Sequence, residues 1–455
     1  MNAGSTLAVG TTTSEAADFD DGEGNPPIAE WKFDEKTGST ANDTSGNNYT
    51  ATLSGATWES SLSCKEGACL KFEGGSNSYA DLSSDSITDT TYTIEAWYQL
   101  HNNTSRQTIF SFNNGSGNGY QFLSVERWMD GSGSFTIFIG DGTSYSNYGV
   151  TSNLTEAYNS WSHVAITRNG NDFILYVNGQ QRGTFSDTKS ATMSRVLFGS
   201  RNGNRLYGML DTMRIYDYVR SPAQIAYDYN RGEPVAHWKM DECQGSTIHD
   251  SSDNGNHGTW NGSGGTQTSV GTCTTSGTAW GNGSTGKFGA SLNFDGEDDY
   301  LVKTSPNNLP TKSEATWSWW SKTSNSSWLQ AIIGEHRNQW SIRQSNNSVF
   351  LGINAEQLGP YSFTTDNNWS HYAITFKSGD TKFYKNGNLI QEASTSATST
   401  VPSLATLYIG RRSTVPPNSY NFSGQLDDVR IYNYALSAAQ VKKVMNEGSA
   451  LRFGD

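Results

Sequence analysis

The chain has 455 residues, enough at roughly 100–200 residues per domain for two to four domains with full cores. With 14 Trp, 22 Tyr, 19 Phe and only 16% charged residues it is too aromatic to be disordered over most of its length. Its 31 basic against 44 acidic residues leave a net charge of −13, which offers no field to a nucleic-acid backbone or an anionic membrane face, and no window approaches the ~18–20 apolar residues of a membrane-spanning helix.

The first 27 residues carry Glu15, Asp18, Asp20, Asp21 and Glu23, a single aromatic, Phe19, and no Lys or Arg. This stretch reads as a disordered acidic arm or linker, and Met1–Gly10 lacks the charge-then-apolar order of a signal peptide. Beyond it, strand signals are dense: Thr93–Leu100, Ile109–Phe112, Phe135–Ile139, Trp161–Thr167 and Phe173–Val177 are rich in β-branched or aromatic residues and bounded by Asn, Gly and Ser. Asn178-Gly179 and Asn386-Gly387 sit between such runs and predict two-residue hairpins, a turn that needs positive φ. Only Ser221–Asn230 and Ser437–Asn446 look helical, each opening on a Ser cap.

The chain also repeats itself. Trp31-Lys32-Phe33-Asp34-Glu35 recurs as Trp238-Lys239-Met240-Asp241-Glu242, and Asp43-Thr44-Ser45-Gly46-Asn47 as Asp250-Ser251-Ser252-Asp253-Asn254. Leu70-Lys71-Phe72-Glu73-Gly74 recurs as Leu292-Asn293-Phe294-Asp295-Gly296, and Trp161-Ser162-His163 as Trp369-Ser370-His371. Tyr176-Val177-Asn178-Gly179 recurs as Tyr384-Lys385-Asn386-Gly387, and Leu210-Asp211 with Arg214-Ile215-Tyr216 as Leu426-Asp427 with Arg430-Ile431-Tyr432. The period is far beyond the 20–50 residues of stacked repeats, so each copy must bury its own core. Two tandem domains are expected, 28–232 and 235–448, joined at Gly232-Glu233-Pro234 and followed by a tail, 449–455.

Taken together, W-K-[FM]-D-E, D-[TS]-S-x-N, [LF]-x-F-[ED]-G, W-S-H-x-A-I-T, Y-x-N-G and G-x-L-D-x-x-R-I-Y resemble the bacterial LamG-like branch of the concanavalin A-like lectin/glucanase superfamily. The resemblance implies an all-β chain of two tandem jelly-roll β-sandwiches, each ending in a short helical segment. It also implies extracellular carbohydrate or protein binding, often with a structural calcium ion. A fold shared by lectins, adhesion modules and hydrolases names no ligand by itself.

Asp211 and Asp427 are the most telling carboxylates: strand alternation sets them on one face with Met213 and Ile215, or with Val429 and Ile431. A buried carboxylate needs a cation or several hydrogen bonds. The loops starting at Asp43 and Asp250 cluster oxygen donors of the kind Ca²⁺ accepts, and the resemblance supports pairing each loop with the later Asp. The expected calcium ligands are therefore Asp43, Asn47 and Asp211 in the first copy, and Asp250, Asn254 and Asp427 in the second. The alternative is an Asx-turn loop and an Asp bonded to backbone amides. Asp428 adds a carboxylate in the second copy, where the first has Thr212. His163 and His371 read as packed strand histidines. Trp128, Trp328 and Trp340 lack counterparts between copies and are the candidate sugar-stacking aromatics, with core or hairpin packing as the alternative.

The four cysteines fall two per copy. Paired within copies they give Cys64–Cys69 and Cys243–Cys273, which implies an oxidising, extracellular or cell-surface setting. The superfamily's glycoside hydrolases carry alternating Glu, Asp and Glu on one strand. No E-x-D-x-E is present, and the nearest acidic run outside the arm, Glu297-Asp298-Asp299, falls in a turn. The expectation is a non-catalytic binding protein, part of a longer surface protein, whose tandem lectin-like modules raise avidity for a repeating glycan. An adhesion module that meets protein partners is the alternative, and a glycoside hydrolase the minor one.

Overall fold

The computed structural model describes residues 24–447, apart from 60–62, 76–77, 88–89, 102–105, 114–122, 128–133, 152–158, 190–192, 202, 311–313, 324–328, 336–339, 346, 354–355, 363–366, 395–399 and 413–419. The acidic arm and the tail lie almost wholly outside that set.

Each copy is a sandwich of two antiparallel sheets. In the first copy one sheet runs in the order Gln180–Ser186, Asp172–Val177, Trp161–Asn169, Thr91–Leu100, Tyr207–Tyr216, Cys69–Glu73 and Thr57–Glu59, with Ala29–Trp31 also paired to Tyr207–Tyr216. The other is built around Leu123–Arg127, Gln107–Asn113, Met193–Phe198 and Tyr79–Ile87. The second copy repeats the plan: Ala236–Trp238 and Leu292–Asp295 both pair with Ser423–Tyr432, which lies beside Glu314–Lys322.

Period-2 alternation fills the space between the sheets. Tyr92, Ile94, Ala96, Tyr98 and Leu100 point inward from one strand and meet Trp31, Phe110, Phe198 and Ile215 in one buried cluster. The second copy has its own cluster around Trp238, Trp317, Trp340 and Ile431, as a period longer than any stacked repeat requires.

Both Asn-Gly turns form. Asn178 and Gly179 have φ of 51° and 69°, Asn386 and Gly387 of 48° and 72°, the doubly left-handed turn that matches strand twist. Each Asn also reaches sideways: its Oδ1 accepts from the backbone N–H of His163 (2.8 Å) or His371 (2.9 Å) on the neighbouring strand. The helices Pro222–Asn230 and Ala438–Asn446 start at Ser221 and Ser437 in capping boxes closed by Gln224 and Gln440. A short extra helix, Ala279–Asn282, has no partner in the first copy among the described residues.

The copies touch. Tyr227 of the first helix meets Tyr434 edge-on at 5.8 Å, Ala226 joins a cluster with Tyr384, Tyr434 and Val441, and Asn230 Nδ2 donates to Asn433 Oδ1 at 2.5 Å.

A register shift in the strand Tyr207–Tyr216 decides where the site forms. Pairing with Thr91–Leu100 slips between Asp211 and Arg214, with Thr212 at φ 39°, and the second copy slips at the equivalent place, with Asp428 at φ 52°. One extra residue inverts the alternation. Leu210, Met213 and Ile215 therefore face the core, while Asp211 pairs with Trp97, which lies outside the core cluster. The expectation that Asp211 shares a face with Met213 and Ile215, and Asp427 with Val429 and Ile431, is overturned by this bulge.

Candidate functional site

Asp211 and Asp427 are nevertheless fully buried, at 0% exposure, because a loop closes over each of them. In the first copy that loop is Lys65-Glu66-Gly67-Ala68, bracketed by the Cys64–Cys69 disulfide. The Glu66 N–H donates to Asp211 Oδ2 at 2.9 Å and the Ala68 N–H to Asp34 Oδ1 at 2.8 Å. In the second copy the Lys287 and Phe288 N–H groups donate to Asp427 Oδ2 (2.7 and 3.0 Å), and the Ala290 N–H to Asp241 Oδ1 (2.9 Å). One loop thus binds two carboxylates in each copy, one from the W-K-[FM]-D-E motif and one from the bulged strand.

Burial pushes the Asp211 carboxyl up to about 7, with the Asp34 charge adding to it; burial and the charges of Asp428 and Asp241 push Asp427 up to about 8. Asp427 Oδ1 is buried with no hydrogen-bond partner. Two convergent carboxylates, one with an orphaned oxygen, suit a hard cation that accepts oxygen ligands. The residues present fit calcium at Asp241 with Asp427; Asp34 with Asp211 repeats the carboxylate pair, but there Thr212 Oγ1 donates to Asp211 Oδ1 at 3.2 Å.

The structure does not bring the Asp43 and Asp250 loops to these carboxylates. Asp43 accepts from the N–H of Glu30, Ser45 and Tyr49 and from Ser45 Oγ. Although burial opposes it, these bonds hold its carboxyl below the usual range. Asp250 accepts in the same way from His237, Ser252 and Asn256. Asn47 Nδ2 donates to the Ile28 carbonyl (2.9 Å) and Asn254 Nδ2 to the Val235 carbonyl (3.1 Å). These residues pin the loop beside Glu30 or His237, whereas antiparallel pairing of Glu30 with Arg214 carries Asp211 past Trp31 toward Asp34. Asp43, Asn47, Asp250 and Asn254 are thus engaged within their own loops and by the strands beside them, while Asp34 and Asp241 share a covering loop with Asp211 and Asp427. Asp428 is engaged by His237 (2.6 Å) and Arg430 (2.9 Å).

Trp340 is 0% exposed and packs 5.1 Å from Trp317 inside the second core, so it cannot stack on a ligand. Trp128 and Trp328 lie outside the described residues. A cleft of about 390 Å³ at the join between copies is lined by Lys65, Trp97, Trp161, Tyr229, Arg231 and Asp253, among others. Trp161 is partly exposed, its Nε1 fixed by the Ser63 carbonyl at 2.7 Å. Trp97 stacks on Tyr229 at 5.5 Å with Lys65 Nζ 4.2 Å from its ring centre. Trp161, which stands partly open at this cleft, carries no signal in the sequence because it lies in a regular strand. Asp34 and Asp241 were visible as recurring acids, but their motif was read only as a repeat marker.

The second sheets of the two copies differ in charge. In the first, Glu126 is fully buried between Arg106 (2.8 Å) and Arg201 (2.9 Å). Val125 pairs with Phe110 as Ile342 pairs with Ile333, so Arg343 stands where Glu126 does.

Both disulfides are formed, with Cα atoms 5.5 Å apart for Cys64–Cys69 and 4.9 Å for Cys243–Cys273. Among the described residues, no helix is long and apolar enough to cross a membrane.

In comparison with known proteins, the concanavalin A-like lectin/glucanases superfamily, in its Laminin_G_3 form, matches residues 74–226 and 295–442. No curated protein matches the chain. Among solved structures it is similar to domain 4 of AbnA, a GH43 extracellular arabinanase from Geobacillus stearothermophilus in complex with arabinotriose (18% identity, 45% of this chain and 97% of that one, TM-score 0.37). It is also similar to domains LG4-5 of the mouse laminin alpha1 chain (10% identity, 81% and 90%, TM-score 0.27). A third similarity is to the binding domain of Botulinum Neurotoxin DC in complex with SialylT (11% identity, 89% and 94%, TM-score 0.38).

Proposed function

Because the chain belongs to the concanavalin A-like lectin/glucanases superfamily, we propose that it is a non-catalytic, extracellular carbohydrate-binding protein with a structural calcium ion in each copy. The observation that carries this reading is the cleft at the join, where the Trp161 ring stands partly open beside Lys65, Arg231 and Asp253. An aromatic face covers the C–H side of a sugar ring, and charged or amide groups around it take the hydroxyls, which is the mixture small carbohydrate sites need. Calcium would be held by Asp34 with Asp211 and by Asp241 with Asp427. There it would neutralise carboxylates that burial otherwise drives toward protonation, and so fix the covering loops, one of which supplies Lys65 to the cleft. The disulfides support an oxidising setting.

The test is a glycan array probed with the full chain and with Trp161→Ala. Binding to a glycan class that falls at least tenfold in the variant, with an unchanged melt, is the expected result. Silence across a broad array, or a variant that binds as well as the parent, would sink the reading and leave protein-directed adhesion.

A further inference from the structure

The second copy has an acidic turn that the first lacks. Between the strands Leu292–Asp295 and Tyr300–Thr304, the carboxylates of Asp295, Asp298 and Asp299 each offer one oxygen, all within 4.8 Å of one another. Asp295 accepts from the N–H of Thr266 (2.8 Å), Gln267 (3.1 Å) and Glu297 (2.9 Å). Asp298 Oδ2 accepts from the N–H of Ser263 (3.0 Å) and Gly264 (2.8 Å), and Asp299 Oδ2 from Asp295 N–H (2.9 Å) and Gln267 Nε2 (2.6 Å). That leaves Asp298 Oδ1 and Asp299 Oδ1 buried with no hydrogen-bond partner, and Asp299 is 0% exposed. Among the described residues no lysine or arginine pairs with any of the three. Burial, and behind it the charges of Asp295 and Asp298, push the Asp299 carboxyl up to about 7. The backbone opposite is glycine: a Cβ on Gly262 would lie 2.1 Å from Asp299 Oδ1, and one on Gly265 2.1 Å from Asp295 Oδ2.

The first copy shows what the turn needs for its shape alone. There Ser78 Oγ accepts from the Glu73 N–H at 3.0 Å, the job Asp299 Oδ2 does for Asp295, and Glu73 lies beside Lys71 at 2.8 Å. A hydroxyl suffices to hold the turn, so the extra buried charge of Asp299 has another use. Orphaned buried carboxylate oxygens are costly unless a proton or a cation occupies them, and three carboxylates around one point favour the cation.

We propose that Asp295, Asp298 and Asp299 hold a divalent cation of the hard, oxygen-seeking class, Ca²⁺ foremost, in the second copy only. The site stands independently of the carbohydrate cleft and of the calcium reading at Asp34/Asp211 and Asp241/Asp427.

Terbium serves as the probe, because Trp260 stands beside the site: the same Cβ on Gly262 would lie 2.7 Å from Trp260 Cζ2. The full chain should give tryptophan-sensitised terbium emission that calcium displaces. Trp260→Phe should remove one share of that emission and keep the calcium count in equilibrium dialysis, the remainder arising from Trp97 and Trp320 beside Asp211 and Asp427, while Asp298→Asn and Asp299→Asn should each remove the same share and lower the count by one. Asp298→Asn retains the acceptor for Ser263 and Gly264 and decides the matter if Asp299→Asn fails to fold. An unchanged calcium count in the folded variants, or emission that calcium does not displace, overturns the proposal. Running Asp211→Asn with Asp427→Asn in parallel separates this outcome from failure of the other calcium sites.

Discussion

His163 and His371 are buried at 1% exposure, beside Trp97 at 5.2 Å and Trp320 at 5.4 Å. Burial pushes them down to about 4 and about 3, from 6.5 in the unfolded chain. A histidine with a depressed folded value contributes stability that is complete above about 6.5 and is lost as pH falls toward 4. Because a tenfold change in proton affinity corresponds to ~1.4 kcal/mol, His163 contributes about 3 kcal/mol and His371 about 5. Melting temperature should therefore drop between pH 6.5 and 4, and His371→Gln, which can keep the contact with Ser318 Oγ (2.8 Å), should flatten part of that slope; calorimetry across the range checks it. That these histidines pack was legible, because they alternate with apolar neighbours in a recognisable strand. The role of Trp340 was not, since exposure of a lone tryptophan depends on which sheet face its strand turns to the core.

The hairpins were legible from two letters, Asn-Gly, because few residues tolerate positive φ. What the letters did not show is how the helix uses the turn. A Cβ on Gly179 would meet Tyr229 Cβ at 3.2 Å and the Ala226 backbone at 3.3 Å, whereas one on Gly387 would meet the flexible side chains of Lys442 and Met445. Gly179→Ala should thus cost more than Gly387→Ala, about 2 kcal/mol against about 1, measured by urea unfolding. Equal costs would mean the helix does not bear on the turn. The bulge that re-aims Asp211 was hidden for the opposite reason: Thr212 carries no turn signature, Asp428 alone does not mark a bulge, and only pairing with the neighbouring strand exposes the slip. For want of it, the two carboxylates that share a covering loop, one from each end of the copy, could not be matched.

Duplication and sandwich architecture were readable across the whole chain, because six collinear matches and dense strand signals agree. The cleft was not, since it is lined by both copies, Trp97 and Trp161 from the first and Ser251 to Asn254 from the second. The paired carboxylates occur in both halves, so chelation should lower the melting temperature of each. Calcium at a hundredfold its Kd would add about 2.7 kcal/mol per site by mass action. Asp427→Asn should weaken the response of the second half and leave that of the first unchanged, the acidic turn supplying what remains; indifference of both halves to a chelator would discard those sites. One further consequence follows from the pairing of the strand that opens each copy with the strand that closes it, Ala29 against Ile215 and Ala236 against Ile431. The polypeptide enters and leaves each sandwich side by side at the same edge. Tension along it would unzip those rungs one after another instead of shearing them together, so a pulled copy would yield gently, beginning at its own doorway.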